Sequence, residues 1–376
     1  MNILIAHAYA GIGHKKAALA VESSLLGFKD AKVKTVDVLD YTNPVFKFLY
    51  PNIYLFLINK IPFLWGLLYY FFEIKIVDRL VSPVRGLVHS ITARKFIDLI
   101  DKTQPDVILC THFLPAEVVS RLKKKKRYKG KLYTVVTDFI SHSFWMARYS
   151  DCFIVCLEET RNDLLRRGIK KEKIKVLGIP CDPKFSITKD RTQLIEKIGI
   201  EKDLFNILIM GGGFGAGPVE DIIDSLDKIE GILKYKLQML VICGKNKVLY
   251  EKLNKKKGAT DVNLKVFGFM DNIDELMEVS DLLISKSGGL TISEALSKNL
   301  PMVIVNPIFG QETRNAKLLA KHGVAVKIEH PKDIVTYLKE LLVSPKKMQH
   351  IRSRMEHFSY KDASKRIADF ILENED

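Results

Sequence analysis

The stretch from Leu282 to Asn315, LLISKSGGLTISEALSKNLPMVIVNPIFGQETRN, leaves this chain little freedom of fold. An apolar run, Leu282 to Ile284, stops at Ser285-Lys286-Ser287-Gly288-Gly289, and helix formers carrying Leu290, Ile292, Ala295 and Leu296 follow. The order predicts a buried strand, a glycine turn and a helix N-terminus. Such a junction gathers unpaired backbone N–H groups and the positive end of a helix dipole, and its small side chains leave room for a phosphate. One helical turn on, Glu294 offers an acceptor that a ribose diol could reach, although a glutamate on a solvated helix face needs no ligand. Pro301 opens a second strand, Met302 to Val305, which delivers Asn306-Pro307 and then Gly310-Gln311-Glu312. Polar groups at the carboxyl ends of strands are where an open α/β sheet places its ligand.

Strand and helix signals alternate through both halves of the chain, which predicts α/β architecture with mostly parallel sheets. At 376 residues the chain exceeds one ordinary core, so two domains are expected. We place the first at 1–185, a polar linker at 186–203 and the second at 204–376, with the last helix, 345–373, expected to return to the first domain. The second domain opens with a strand, Phe205 to Met210, and Gly211-Gly212-Gly213-Phe214-Gly215-Ala216-Gly217-Pro218. So many glycines point to close approach of backbone to a flat or charged group such as a diphosphate. No Lys-Ser or Lys-Thr follows, so this is not the phosphate loop of a nucleotide hydrolase.

The run 285–295, SKSGGLTISEA, together with Pro307, Gln311, Glu312 and Asn315 in the pattern P-x-x-x-Q-E-x-x-N, resembles the nucleotide-sugar site of the GT-B glycosyltransferases. Within them it resembles the monogalactosyldiacylglycerol synthases and processive diacylglycerol glucosyltransferases, cousins of the bacterial lipid I N-acetylglucosaminyltransferase. The resemblance implies a GT-B fold, two Rossmann-like parallel-sheet domains facing each other across a cleft. It also implies a UDP-sugar donor: the diphosphate on Ser285, Lys286, Ser287, Gly288 and Gly289 and on Gly213, Phe214 and Gly215, the ribose on Glu294, the hexose on Gln311 and Glu312. The segment Val266-Phe267-Gly268-Phe269-Met270-Asp271-Asn272 is similar to the family's uracil-binding V-x-G-F-x-x-N, which carries that role to Phe269 and Met270.

In the first half, a strand from Ile3 to Ala6 runs into Gly11-Ile12-Gly13-His14 and then a helix. No basic segment or cleavage site precedes the strand, so we expect no signal peptide. A bare G-x-G is a weak dinucleotide sign, and a tight turn explains it equally well. His14, however, stands in the first helical turn, where the dipole disfavours imidazolium and keeps a neutral base. The resembling family has a glycine-glycine-histidine turn whose histidine is a candidate base; here Ile12 departs from that pattern. A later strand, Leu132 to Val136, delivers Thr137-Asp138 and then His142 and Trp145. By resemblance this is the acceptor-side loop: Asp138 orients His14 or itself takes the proton, unless it only caps a turn, and His142 and Trp145 are acceptor-pocket candidates.

Between Val45 and Val77 the chain is densely aromatic, with Phe63 and Trp65 at its centre and Lys47, Lys60, Lys75, Arg79 and Arg85 around it. Lys60, Pro62 and Gly66 interrupt runs already short of the roughly 20 residues a spanning helix needs. A segment lying in the headgroup zone of a bilayer fits better; a helix pair buried in the first core is the alternative. The formal charge of +15 makes nucleic acid, an anionic membrane surface and an anionic small substrate the candidate partners. Lys123, Lys124, Lys125 and Lys126 form a run suited to anionic lipid; it is not interleaved with aromatic residues as a nucleic-acid groove would be, so no nucleic-acid partner is expected. Five cysteines without C-x-x-C spacing read as buried, reduced thiols.

The expected function is transfer of a hexose from a UDP-sugar to diacylglycerol or glycosyl-diacylglycerol, with inversion to a β-glycolipid, by a cytoplasmic protein attached peripherally to the inner face of the membrane. No cofactor is expected, and with no D-x-D pair in the sequence, no metal. The alternatives are a UDP-N-acetylglucosamine transferase acting on a polyprenyl-linked acceptor, a UDP-sugar epimerase and a non-catalytic UDP-sugar sensor. Glucose and galactose remain equal as the donor sugar.

Overall fold

The computed structural model describes residues 1–374 except 10, 30, 213–216, 229–236 and 259–261. The chain divides into two units, the first Met1–Pro183 with Phe309–Arg314 and Asp362–Asp376, the second Lys184–Ile308 with Asn315–Lys361.

The first unit runs β1 (Asn2–His7), α1 (Ile12–Leu25), β2 (Lys32–Asp37), α2 (Pro44–Lys60), α3 (Pro62–Glu73), α4 (Lys75–Thr92), α5 (Arg94–Thr103), β3 (Val107–Cys110), α6 (Phe113–Lys124), β4 (Lys131–Val135), β5 (Cys152–Val155), α7 (Glu158–Arg166) and β6 (Ile174–Val176). Its sheet is parallel, in the order β2-β1-β3-β4-β5-β6. β3 and β5 are buried at every residue because helices cover both faces, which is why these strands read as unbroken apolar runs. The order reverses between β1 and β3, and that is where a doubly wound sheet opens a crevice at its carboxyl edge.

The second unit runs α8 (Arg191–Ile198), β7 (Phe205–Met210), α9 (Val219–Asp227), β8 (Leu237–Ile242), α10 (Lys247–Lys256), β9 (Asn263–Phe267), α11 (Ile273–Val279), β10 (Leu282–Ser285), α12 (Gly289–Ser297), β11 (Met302–Val305), α13 (Gln311–Lys321), β12 (Ala325–Ile328), α14 (Asp333–Leu342) and α15 (Pro345–Phe358). Its parallel sheet has the order β12-β11-β10-β7-β8-β9, the dinucleotide-fold arrangement with its switch between β7 and β10. Ile284 pairs with Ile209 and Ser285 with Met210, so the two glycine turns that follow leave the sheet side by side.

Two boundaries differ from the expectation. The stretch 186–203 is not an open linker: α8, capped by Asp190 accepting from Thr192 and Gln193 N–H, packs within the second unit, where Lys197 bonds Glu275 of α11. The tail breaks at Ser359 into two helices. The second of these, α16 (Ala363–Glu373), belongs to the first unit, and its Ile367, Ala368 and Ile371 join Ile3, Ile5, Val21 and Leu109 in that core.

Candidate active site

Both switch points carry the residues that the sequence singles out. In the first unit, β1 and β3 aim two turns at one spot. α1 starts there, and the Nδ1 of His14 lies 2.9 Å from the carbonyl oxygen of Thr111 and 3.1 Å from the hydroxyl of Thr137. A carbonyl can only accept, so Nδ1 carries the proton and Nε2 keeps its lone pair. Thr111 returns a second bond from its hydroxyl to the carbonyl of His14 at 2.9 Å, fixing the turn from both sides. Burial pulls His14 down to about 4, and neighbouring His7 adds to this against the Thr111 bond. His14 is therefore a neutral imidazole across the physiological range.

Its ring meets the edge of His112 at 4.6 Å and lies 6.2 Å from Trp145. Trp145 in turn donates its indole N–H to Asp138 at 3.2 Å. The orienting partner seen for His14 is thus the Thr111 carbonyl, while Asp138 accepts from Trp145. Thr111 and His112 were not picked out from sequence, although they stand at the carboxyl end of an apolar strand where the same edge rule would have found them.

His142 and Trp145 are each 2% exposed. His142 is spent on α3: its Nε2 donates to the Tyr69 carbonyl at 2.9 Å and sits 3.1 Å from Glu73, and its Nδ1 accepts from the Phe144 N–H at 3.1 Å. Burial brings it to about 4, so it holds this place uncharged. Beside it, Glu73 gathers Arg167 and Arg314, and the N–H of neutral His142 together with those two cations holds its carboxyl below the usual range despite burial.

The aromatic segment forms α2, α3 and α4. Its residues separate into two sets. Trp65 turns inward, its ring edge-on to Tyr54 at 5.1 Å, while Phe63 is 76% exposed. Phe48, Phe56, Leu67 and Phe71 are exposed with Phe63, and α4 presents Ile76, Leu80, Val84, Leu87 and Ile91 on one outward stripe. α4 is held to the body by Glu117 of α6, which takes Arg85 at 3.1 Å and His89 at 2.8 Å. Among the described residues no single helix is long and apolar enough to cross a membrane; α2 and α3 together are, but they meet at a bend of 116°. The lysine run also divides. Lys124, Lys125 and Lys126 are exposed, whereas Lys123 bonds the Gly130 carbonyl at 2.5 Å and Asp151 at 2.7 Å and serves the fold.

In the second unit, Ser285 Oγ donates to the Met210 carbonyl at 3.0 Å and ties the ends of β10 and β7 together. Ser287 and Gly289 are buried in the turn, and Asn315 steadies it by donating to the Ser287 carbonyl at 3.1 Å. Gly288 precedes α12 with no side-chain cap, so the first N–H groups of that helix face the turn. Gly212 has φ +75 and Gly217 φ +126, and a Cβ on Gly217 would come 3.4 Å from Cε of Lys286. Lys286 thus lies against the other glycine turn. Gly213, Phe214 and Gly215 lie outside the described residues. Glu294 is buried in α12 at 3% exposure, and is not the solvated helix-face glutamate of the alternative reading. Phe269 is 45% exposed beyond β9, with Lys245 6.0 Å from its ring centre and half-buried Met270 next to it.

Gln311 and Glu312 group with the first unit, apart from Asn315. There the Tyr54 phenol lies beside Gln311; burial pushes its pKa up, with the charges of Glu312 and Asp138 adding to that. Asp138 and the two residues read as hexose contacts therefore all act on one tyrosine, to which sequence reasoning gave no role.

Residues 14–181 match the family model of monogalactosyldiacylglycerol (MGDG) synthase, and residues 206–367 match that of the glycosyltransferase family 28 C-terminal domain. MurG of Acinetobacter baumannii superimposes with a TM-score of 0.65 at 15% identity, over 99% of each chain. The UDP-GlcNAc 2-epimerase of Neisseria meningitidis bound to UDP-GlcNAc gives 0.64 at 16% identity, over 100% of each. These likenesses bear on fold, and the fold is GT-B. A processive diacylglycerol beta-glucosyltransferase of Bacillus cytotoxicus is 30% identical over 99% of this chain and 93% of its own length. With that identity sustained through both units, the chain is a glycosyltransferase and belongs to the family of the processive diacylglycerol beta-glucosyltransferases.

Proposed function

We propose that this protein transfers a hexose from a UDP-sugar to the hydroxyl of diacylglycerol or glycosyl-diacylglycerol, with inversion, while attached to a membrane surface. The observation that carries the reading is the tautomer of His14: with Nδ1–H committed to Thr111, Nε2 is a neutral base at a sheet switch point. In the proposed step the acceptor O–H gives its proton to Nε2 as its oxygen bonds the anomeric carbon. The bond from that carbon to the β-phosphate oxygen breaks on the opposite face, and UDP leaves.

Growing charge on the diphosphate is met by the N–H groups opening α12 and by Lys286. Glu294 suits the ribose, Phe269 and Met270 the uracil, Gln311 and Glu312 the hexose. The membrane attachment rests on the exposed apolar side chains of α2, α3 and α4, with Lys124 to Lys126 as the electrostatic complement.

Incubation with diacylglycerol liposomes and labelled UDP-glucose or UDP-galactose tests this. The expected product is a lipid-borne hexose in β linkage. UDP release with no label in the lipid, or an epimerised UDP-sugar formed without lipid, would refute the reading.

A further inference from the structure

Helix α3 has two faces with different occupants. Phe63 and Leu67 look outward. Gly66, Tyr69 and Glu73, spaced to share the opposite face, all meet the segment Phe309–Arg314. A Cβ at Gly66 would lie 2.9 Å from Cβ of Phe309. A Cβ at Gly310, where φ is +89, would lie 2.5 Å from Cγ of Tyr69. Two glycines, one on each partner, thus let the segment approach the helix more closely than any other residue would allow.

Polar contacts then lock the approach. Arg314 donates to Glu73 at 3.1 Å, and its guanidinium lies beside the Tyr69 phenol. From α2, the Tyr54 phenol lies beside Gln311. The segment so held leads into α13, which opens with Gln311 and Glu312.

We propose that α2 and α3 set the position of the transferred sugar: Tyr54, Gly66 and Tyr69 are positioning residues acting through Gln311 and Glu312. The proposal deepens the functional reading above and rests on its assignment of those two residues to the hexose. It requires no contact between the tyrosines and the substrate. Its consequence is that donor-sugar preference depends on residues of the aromatic helices, and that UDP binding does not.

Tyr54→Phe and Tyr69→Phe each remove one hydroxyl, and Gly66→Ala pushes on Phe309. Calorimetry with UDP, UDP-glucose and UDP-galactose reads the affinity that each hexose adds or subtracts relative to UDP. Expected is a change of about 5-fold or more in that ratio, with UDP affinity itself unchanged and a matching shift in the glucose to galactose ratio of kcat/KM. A purely structural role would lower the melting temperature and leave both ratios alone. Gly66→Ala is open to failure in folding; the two phenylalanine variants are not expected to be. If both keep wild-type ratios, the proposal is overturned even where the wild type transfers hexose. If the wild type transfers none, the functional reading fails, while the calorimetric ratios still decide whether these helices sense the sugar.

Discussion

The imidazole of His14 is held by the backbone of Thr111, 2.9 Å from Nδ1 to carbonyl oxygen, so the group that orients the base is one that no side-chain substitution removes. Removing the base itself is the direct test. His14→Ala is expected to lower turnover by ~10² or more with UDP affinity retained. Near-normal turnover would transfer the role to Asp138, whose replacement by asparagine would then be the costly one.

The acid behaviour follows from burial. His7, His14 and His142 are each drawn from 6.5 to about 4. An unfolded chain would take up these protons near pH 6.5, so the folded state loses stability as pH falls from there towards 4 and gains nothing from these groups above it. Melting temperatures should be level from pH 8 to 7 and decline steadily below 6.5. In brief assays kcat/KM should hold to about pH 5 before its acid limb; a limb centred on 6.5 would mean that the base is not His14.

Membrane attachment is divisible by residue. Burying one large apolar side chain contributes ~1.5–3 kcal/mol, so Phe63→Ser or Leu80→Ser should lower vesicle co-sedimentation by about 10-fold each. Because these side chains are 76% and 69% exposed, melting temperature should not change. An unaltered partition for both would remove the apolar face from the account.

Lys123 and its neighbours should part company. Glutamines at Lys124, Lys125 and Lys126 are expected to weaken attachment to anionic vesicles in a salt-sensitive way. Lys123→Gln should act on stability instead, by roughly 1 kcal/mol in chemical denaturation, through the lost contacts to Gly130 and Asp151.

On the donor side, Glu294→Ala and Asn315→Ala should both weaken UDP binding, the first by removing the proposed ribose acceptor and the second by loosening the turn through Ser287. Equal calorimetric affinities for variant and wild type would take these residues out of the donor site.

Much of this was legible in the sequence because parallel strands buried on both faces leave unbroken apolar runs, and Ile3 to Ala6 or Leu282 to Ile284 can be little else. His14 and the Ser285–Gly289 turn stood out because each follows such a run. Backbone partners leave no trace in side-chain chemistry, which is why Thr111 went unnoticed. The α2–α3 segment is apolar on every side, so periodicity could not separate inward Trp65 and Tyr54 from outward Phe63. Contacts between Gly66 and Phe309, or Glu73 and Arg314, join positions 243 and 241 residues apart, and no local pattern signals them.

One consequence belongs to the moment of synthesis. Ile367, Ala368 and Ile371 fill the floor beneath β1 and β3, so a ribosome that has finished the first 183 residues has made a half with a hole in it. The nascent unit must wait, its greasy seat for α16 unfilled, while nearly two hundred further residues emerge; a shortened chain ending before α16 should be a client of chaperones rather than a smaller enzyme.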